Sequence, residues 1–210
     1  MIKDLVDHVK YNLRQHRNVG MFISSGFDSA LLFWVVNEVN NKYFKKEKNR
    51  SRLTVYTVPK YDGSYDHSPN VVNWVNSDIP IKPVGDKDVA HNKQVGSGIR
   101  QVMDEGVESQ VYIAHTVVHE WMNFPGGLKV VRQDNKYPDF IFLPYMDLKM
   151  DKADTIKMAN DILSEEQFDT LCKITHSCTQ TTGKRCGKCW HCQERAWGFH
   201  KHKLRDTGDM

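Results

Sequence analysis

The chain has 210 residues, 26% of which are charged, and a formal net charge of +3 at pH 7. This length suits one domain with an appendage and is enough to bury a sizeable core. No apolar run reaches the about 20 residues that a membrane-spanning helix needs, so we predict a soluble protein without a membrane partner. Charges interrupt the N-terminal residues, which do not resemble a signal peptide, so we expect a cytoplasmic protein.

Strand and helix patterns alternate along the chain. Apolar positions at helical spacing predict a covering helix over residues 2–17. Short runs of β-branched and aromatic residues predict strands over 19–23, 53–58, 79–84 at a sheet edge, 110–114 and 140–143. The intervening helices are predicted over 30–39, from 71–75 onward, and over 88–106. Such alternation predicts an α/β fold with an open parallel sheet covered by helices on both faces.

The C-terminal part of the chain has a different character. Residues 121–139 are rich in proline, glycine and charge, and we predict that they form a loop over the carboxyl edge of the sheet, where ligand sites lie. From residue 151 a helical pattern leads into a cysteine-rich tail. We therefore predict an α/β domain over residues 1–150 and a helical, metal-binding appendage over residues 151–210.

The cysteine-rich tail has metal-ligand spacing in the residues Cys178, Cys186, Cys189 and Cys192. Thiolates separated by two residues can turn onto one tetrahedral Zn²⁺, and Gly187 permits the tight turn between them. A shell of four sulfurs excludes water, so the spacing predicts a structural zinc site. An iron–sulfur cluster, a redox dithiol and a disulfide pair are the alternatives, and His191 could replace one cysteine.

A loop of small and polar residues follows the first predicted strand and consists of Ser24, Ser25, Gly26, Phe27, Asp28 and Ser29. Backbone N–H groups, hydroxyl donors and a helix N-terminus would suit a phosphate. Asp28 would repel a bare phosphate, so it requires a Mg²⁺ bridge or a structural role. The alternative is an ordinary turn with Asp28 or Ser29 as the N-cap. The Walker pattern GxxxxGKS is absent from the sequence, which argues against the common ATPase class.

This loop resembles the SGGxDS loop of the PP-loop ATP pyrophosphatases, which holds the pyrophosphate end of ATP. Ser25 stands where that pattern has a glycine. The tail narrows the resemblance to one family within this superfamily. Its motifs are similar in order and spacing to those of the 7-cyano-7-deazaguanine synthases of the queuosine and 7-deazapurine pathway. These motifs are Pro144, residues 151–155 (DKADT), Cys178 and residues 186–196 (CGKCWHCQERA). The resemblance implies a Rossmann-like, adenine-nucleotide α-hydrolase-like fold with a zinc-binding tail.

The resemblance also implies a reaction and its residues. An ATP-dependent ligase of this family adenylates a 7-carboxy-7-deazaguanine-like carboxylate and, with ammonia, forms an amide or nitrile, 7-cyano-7-deazaguanine, while releasing AMP and pyrophosphate. The implied cofactors are ATP, Mg²⁺ and Zn²⁺. The loop residues 24–29 would bind the nucleotide, and Asp28, Ser29 and Lys152 would be catalytic. The implied partners are the deazapurine-like substrate, ammonia and a second copy of the chain in a homodimer, with no nucleic acid as direct substrate.

Two further features leave alternatives open. The segment after the fourth strand reads HTVVHE and lacks the Tyr-Pro-Asp-Cys-like stretch of the synthases. In that segment His115 and His119 could share one helix face and bind a metal with Glu120, or His115 could face the substrate. Cys172 is the one candidate for a sulfur carrier of the kind that tRNA-thiolating relatives use, although its apolar neighbours indicate burial.

Two other functions compete with the synthase hypothesis. One is a PP-loop adenylating ligase or thiolase that uses a different acceptor. The other is a zinc-ribbon, nucleic-acid-binding module without catalysis. Its phosphate contacts would come from the basic residues of the tail, which are Lys184, Arg185, Lys188, Lys201, Lys203 and Arg205.

Overall fold

The computed structural model describes residues 2–45, 50–58, 67–76, 78–85, 91–118, 137–178, 180–181 and 184–208. These residues form five strands, β1 (Asn18–Phe22), β2 (Arg52–Thr57), β3 (Ile81–Pro83), β4 (Gln110–Ile113) and β5 (Ile141–Phe142). They also form eight helices, α1 (Ile2–Gln15), α2 (Phe27–Phe44), α3 (Ser68–Asn76), α4 (His91–Glu105), α5 (Pro144–Asp147), α6 (Lys152–Ile162), α7 (Glu165–Ile174) and α8 (Trp190–Lys201). None of the described helices is long and apolar enough to cross a membrane.

The strands form one parallel sheet in the order β3-β2-β1-β4-β5. The central strand β1 pairs with β2 from Asn18 opposite Arg52, and with β4 from Val19 opposite Gln110. The chain builds outward from β1 to β3 on one side and then returns to β4 on the other. In such a sheet the connections after β1 and β4 diverge and leave a crevice at the carboxyl edge. The predicted open parallel sheet is confirmed.

Apolar cores lie on both faces of the sheet. On one face α1 and α2 pack against the strands, and α6 and α7 cover α2 from outside. Because it is enclosed in this way, α2 carries buried side chains around almost its whole circumference. On the other face Tyr56, Val102 and Val111 form a second, smaller core with α4. The prediction of helices on both faces is therefore confirmed.

Helix α2 starts earlier in the structure than the sequence predicted. The helix begins at Phe27 rather than at residue 30, so Asp28 and Ser29 lie in its first turn, and the N-cap is Gly26 in an extended conformation. The physical reason is the burial of Phe27, which packs edge-on against Phe168 and Phe199 and draws the first turn into the core. The alternative of Asp28 or Ser29 as the N-cap was wrong. The predicted loop over residues 121–139 falls mainly outside the described residues.

The C-terminal helices share the core of the sheet region. Ile156 of α6, Leu171 of α7 and Phe199 of α8 all belong to the larger apolar core. Helix α8 crosses α6 at Gly198, where an added Cβ would lie 2.6 Å from Ile156 Cδ1. This close approach places the cysteine-rich tail against the carboxyl edge of the sheet. The division at residue 150 stays a prediction.

Candidate active site

The loop after β1 turns sharply at Ser25, whose φ of 60° lies in the left-handed region. This conformation favours glycine, which explains the glycine of the SGGxDS pattern at this position. Here the buried hydroxyl of Ser25 lies 2.9 Å from the hydroxyl of Ser68. The Ser68 hydroxyl in turn lies 3.1 Å from that of Thr57, at the end of β2. These contacts stabilise the strained turn on its buried side.

The other side of the loop is the N-terminus of α2. The N–H of Ser24 donates to Ser29 Oγ at 3.3 Å, and that hydroxyl donates to the carbonyl of Gly26 at 3.0 Å. Among the described residues no side chain caps this helix end. The N–H groups of a first helical turn have no partner within the helix, and together with the helix dipole they favour an anion. The arrangement is suited to an anion such as phosphate. The predicted binding of phosphate by this loop stays a prediction.

A charged pair lies beside this helix end. Lys152, the first residue of α6, is 5% exposed, and its Nζ forms an ion pair with Asp28 Oδ2. The other carboxylate oxygen of Asp28 accepts a hydrogen bond from the Thr155 hydroxyl at 2.8 Å. A cation at a helix N-terminus is unfavourable by itself, and Asp28 offsets that cost. The fold thus joins two predicted catalytic residues that lie 124 positions apart.

The loop and the charged pair open into a cavity of about 230 Å³. Its apolar wall comes from the ends of β1, β2 and β4 and from α4. Its polar wall includes the predicted residues Ser24, Gly26, Asp28, Ser29 and Lys152, together with His115, Thr116, His176, Ser177, His191 and Glu194. The carboxyl edge of the sheet and the cysteine-rich tail therefore enclose one site.

Two predicted nucleotide-binding residues do not bring their side chains to this cavity. Ser25 is buried under the loop, and Phe27 is buried in the core between Phe168 and Phe199. We infer that these two positions shape the loop. Sequence reasoning missed His176, Ser177 and Glu194 as cavity residues, although their position next to the cysteines was a signal that could have placed them near any site the tail covers.

The four predicted metal ligands converge. The sulfurs of Cys178, Cys186, Cys189 and Cys192 all lie within 4.8 Å of one another. The Cys189 sulfur lies 4.0 Å from that of Cys178 and 3.4 Å from that of Cys192. Gly187 has a φ of 67°, so the tight turn expected at this glycine is present. The donor set fits a metal, and His191 is not part of it.

Backbone and hydroxyl donors surround one of these sulfurs. The Thr181 hydroxyl lies 3.2 Å from Cys178 Sγ, and the N–H groups of Gln180 and Cys186 donate to the same sulfur at 3.4 and 3.5 Å. Burial by itself raises the pKa of the Cys178 thiol, but these hydrogen bonds lower it to about 5. A thiolate is the form that ligates metals, so these donors would stabilise Cys178 as a ligand, whereas burial and the neighbouring Cys189 raise the pKa of the Cys192 thiol.

The tail is tied to the phosphate loop by the segment that precedes the first cysteine. The N–H of His176, two residues before Cys178, donates to the carbonyl of Ser25 at 2.8 Å. The ring of His176 stacks on His67 at 4.9 Å between centroids, and its Nε2 lies 2.7 Å from the carbonyl of Thr181. The metal-binding segment therefore supports the turn that forms the phosphate loop.

A buried arginine holds α8 in place. Arg195 is fully buried, and its guanidinium donates to both carboxylate oxygens of Asp206 at 2.8 and 2.9 Å. It also donates to the carbonyls of Cys172 and Thr175 at 2.8 and 3.0 Å. Burial alone raises the pKa of Asp206, but the hydrogen bonds from Arg195 hold it below its ordinary value. Arg195 thus connects α7, α8 and the C-terminal segment.

The remaining candidate residues have clear positions. Cys172 is fully buried in the core, and burial raises the pKa of its thiol to about 11, which does not suit a sulfur carrier. His115 lines the cavity, and its Nδ1 lies 2.9 Å from the Tyr137 hydroxyl. The predicted metal partners His119 and Glu120 lie outside the described residues, so a site shared with them stays a prediction.

Comparison with known proteins shows what this chain is similar to. The model of the family "Queuosine biosynthesis protein QueC" matches residues 130–203. The NAD+ synthetase of Burkholderia pseudomallei superposes with a TM-score of 0.50 at 13% identity, over 99% of this chain and 80% of that one. The U34-tRNA thiolase NcsA of Methanococcus maripaludis, solved with its [4Fe-4S] cluster, gives a TM-score of 0.43 at 12% identity, over 95% and 73%. No curated protein sequence matches significantly.

The family match and the superposition on the NAD+ synthetase confirm the resemblance predicted from the sequence. The chain has the Rossmann-like fold of the PP-loop ATP pyrophosphatases, with a C-terminal cluster of four cysteines. Its C-terminal third is similar to the QueC family, over a range that includes Lys152 and all four cysteines of the cluster. Fold, loop and family match together support an enzyme that uses ATP.

Proposed function

We propose that this protein is an ATP-dependent ligase that adenylates a carboxylate like that of 7-carboxy-7-deazaguanine and converts it with ammonia into the amide and then the nitrile. The observation that carries the proposal is the meeting of an uncapped helix N-terminus and the Asp28–Lys152 pair in one cavity. The tail that closes this cavity is the part of the chain that matches the QueC model.

The chemistry requires stabilisation of negative charge. In the first activation the substrate carboxylate attacks the α-phosphorus of ATP, and pyrophosphate leaves as the acyl adenylate forms. Ammonia then displaces AMP and loses a proton to give the amide. In the second activation the amide oxygen attacks the α-phosphorus of ATP, pyrophosphate leaves again, and loss of AMP and of both protons of the amide nitrogen gives the nitrile. Pyrophosphate leaves with concentrated charge, which the α2 N-terminus and Lys152 can stabilise.

Magnesium fits the charge balance of this site. Lys152 carries one positive charge, whereas Asp28 and Glu194 carry two negative charges close to it. A triphosphate would therefore meet a locally negative site unless a divalent cation accompanied it. Asp28 lies at the loop and would hold Mg²⁺, which when bound neutralises part of the phosphate charge. We expect activity to depend on Mg²⁺.

We propose that the cysteine cluster holds one zinc ion. A tetrahedral ion with Zn–S bonds of about 2.3 Å places its sulfurs about 3.8 Å apart. The measured separations of 3.4 and 4.0 Å are close to that value. An iron–sulfur cluster would hold the thiolates further apart, because each would bind a different iron. Elemental analysis of the purified protein should find one zinc per chain, and iron with a visible charge-transfer band would contradict the assignment.

The reaction is tested with purified protein, ATP, Mg²⁺, ammonium and 7-carboxy-7-deazaguanine. AMP and pyrophosphate should appear together, and mass spectrometry should detect the amide or nitrile. A panel of other carboxylates distinguishes a ligase with a different acceptor. Absence of AMP with 7-carboxy-7-deazaguanine, in protein that binds ATP, would discard this acceptor.

The competing hypotheses gain less support from the structure. A thiolase with a free sulfur-carrier cysteine is disfavoured, since four cysteines converge and Cys172 is buried. For a nucleic-acid-binding module, at least two of the six tail cations are already engaged within the chain. Arg185 pairs with Asp206, and Lys201 pairs with Asp151. Such pairs leave less positive charge for phosphate contacts. Nucleotide-independent binding of RNA would be the result that favours this alternative.

A further inference from the structure

Glu194 is a buried carboxylate to which neither the sequence motifs nor the proposed reaction gives a role. It lies in α8, and its side chain is 4% exposed. Its Oε2 lies 4.0 Å from Lys152 Nζ, and the residue lines the cavity. Glutamate is rarely buried to this extent unless it is paired with an opposite charge. The ammonium of Lys152 is a nearby opposite charge that can stabilise it.

The charges around Lys152 come from two distant parts of the chain. Asp28 of α2 pairs with the lysine directly, and Glu194 of α8 approaches it at 4.0 Å. All three side chains are at most 13% exposed, so solvent screens their interaction only weakly. Lysine is a flexible side chain with four rotatable bonds, and a single partner would leave its Nζ some freedom. Two carboxylates restrict Nζ to the end of the cavity beside the N-terminus of α2.

The backbone around Glu194 is held firmly. Four residues later, one helical turn along α8, an added Cβ at Gly198 would lie 3.0 Å from Lys152 Cγ, so the stem of the lysine packs against α8 as well. The next residue, Arg195, anchors the helix through Asp206. Two residues earlier, Cys192 belongs to the metal cluster. The rotation of α8 is therefore fixed on both sides of Glu194.

We propose that Glu194 is a positioning residue for Lys152, and that through it the cysteine-rich tail sets where the lysine charge lies. Glu194 holds Nζ against Asp28 before the nucleotide enters and restricts its path when it turns to the phosphate oxygens. The inference rests on the proposed function only for the kinetic role of Lys152. The contact between Glu194 and Lys152 can be tested without any substrate.

The kinetic test compares Glu194→Gln, which keeps the shape and removes the charge, with Glu38→Gln at an exposed position of α2. Displacement of the Lys152 charge should destabilise the transition state in which pyrophosphate leaves more than the bound ATP. We therefore expect kcat to fall at least about tenfold while KM for ATP changes less than about threefold. Glu38→Gln should leave both constants unchanged. Metal content and thermal unfolding are measured on each variant, so that a folding defect is recognised.

The direct test measures the rate at which acetic anhydride acetylates Lys152, with peptide mass spectrometry and with exposed Lys157 of the same helix as reference. A less restricted Nζ reacts faster, so Glu194→Gln should raise the ratio of Lys152 to Lys157 acetylation by at least about threefold. If Glu194→Gln does not fold, Glu194→Asp draws the carboxylate back by one methylene and should give a smaller increase.

The two readouts separate the two proposals. A raised acetylation ratio in protein that forms AMP with none of the carboxylates would support the role of Glu194 and overturn the proposed function. Wild-type acetylation and wild-type kcat in a folded Glu194 variant would overturn the role of Glu194 and leave the proposed function standing. A fall in kcat with an unchanged acetylation ratio would also overturn it, since the effect would then not pass through Lys152.

Discussion

The phosphate loop (residues 24–29) and the cysteine tail (residues 175–195) border the same cavity but are held by different interactions. The loop follows the central strand and leads into α2, which is surrounded by the apolar core. The tail depends on four thiolates and on the ion pair of Arg195 with Asp206. The loop therefore owes its shape mainly to the fold, with one hydrogen bond from His176 of the tail, whereas the shape of the tail would depend on the metal we propose and on one buried charge pair.

The largest effect on AMP formation should come from disrupting the cysteine cluster of the tail. Removing the metal with a chelator, or the variant Cys189→Ser, should reduce AMP formation at least about a hundredfold, because His176 and Glu194 lose their support. The core should survive, so circular dichroism should change little, and hydrogen exchange should rise in residues 175–208 rather than in β1 and α2.

Cys172→Ala is the matched control for this experiment. Cys172 is a buried cysteine outside the metal cluster, so its removal should leave metal content intact. Metal-free protein that keeps wild-type AMP formation would show that the tail does not support the site.

The next effect concerns the pair that joins the two regions. Lys152→Met leaves Asp28 buried without its ion-pair partner and should lower the free energy of unfolding by about 3 kcal/mol, with AMP formation reduced at least about tenfold. The double variant Asp28→Asn/Lys152→Met also removes the charge of Asp28 but leaves Glu194 without Lys152, so it should regain part of the stability and none of the activity. Chemical denaturation and AMP release measure the two quantities.

This comparison separates stability from catalysis. A double variant as unstable as the single one would mean that the charges are not energetically coupled. A double variant with wild-type activity would remove Asp28 and Lys152 from the reaction.

The smallest effect tests how closely α8 must approach α6. Gly198→Ala would place a Cβ 2.6 Å from Ile156 Cδ1, so we expect a loss of about 1 to 3 kcal/mol in the free energy of unfolding. Gly96→Ala in α4 is the matched control, because no atom lies within 4 Å of its added Cβ, and it should stabilise by about 0.5 to 1 kcal/mol. Thermal unfolding of both variants gives the comparison. Equal effects at the two glycines would show that the α6–α8 contact is loose.

Sequence predictions that depend on local patterns are confirmed, whereas one that depends on contacts between distant parts of the chain was wrong. The parallel sheet and the convergence of the four cysteines are confirmed, because each depends on a local pattern. Hydrophobic periodicity fixes strands and helices, and ligand spacing fixes a tight turn. The start of α2 was wrong by three residues, since Phe27 is drawn into a core formed by α7 and α8. The zinc, the reaction, the homodimer and the cytoplasmic location stay predictions.

By itself the sequence predicted the candidate residues, which are the small polar loop, the four cysteines and Lys152. Only the tertiary structure decided that the loop, Lys152 and residues beside the cysteines border one cavity. Asp28 and Lys152 lie 124 positions apart, and Glu194 reaches the lysine because α8 docks on α6 at Gly198. No local pattern encodes such contacts, because they depend on how whole helices pack. The close approach at Gly198 and the buried Arg195 fix the rotation of α8 about its axis. This rotation determines which side chains of α8 line the cavity.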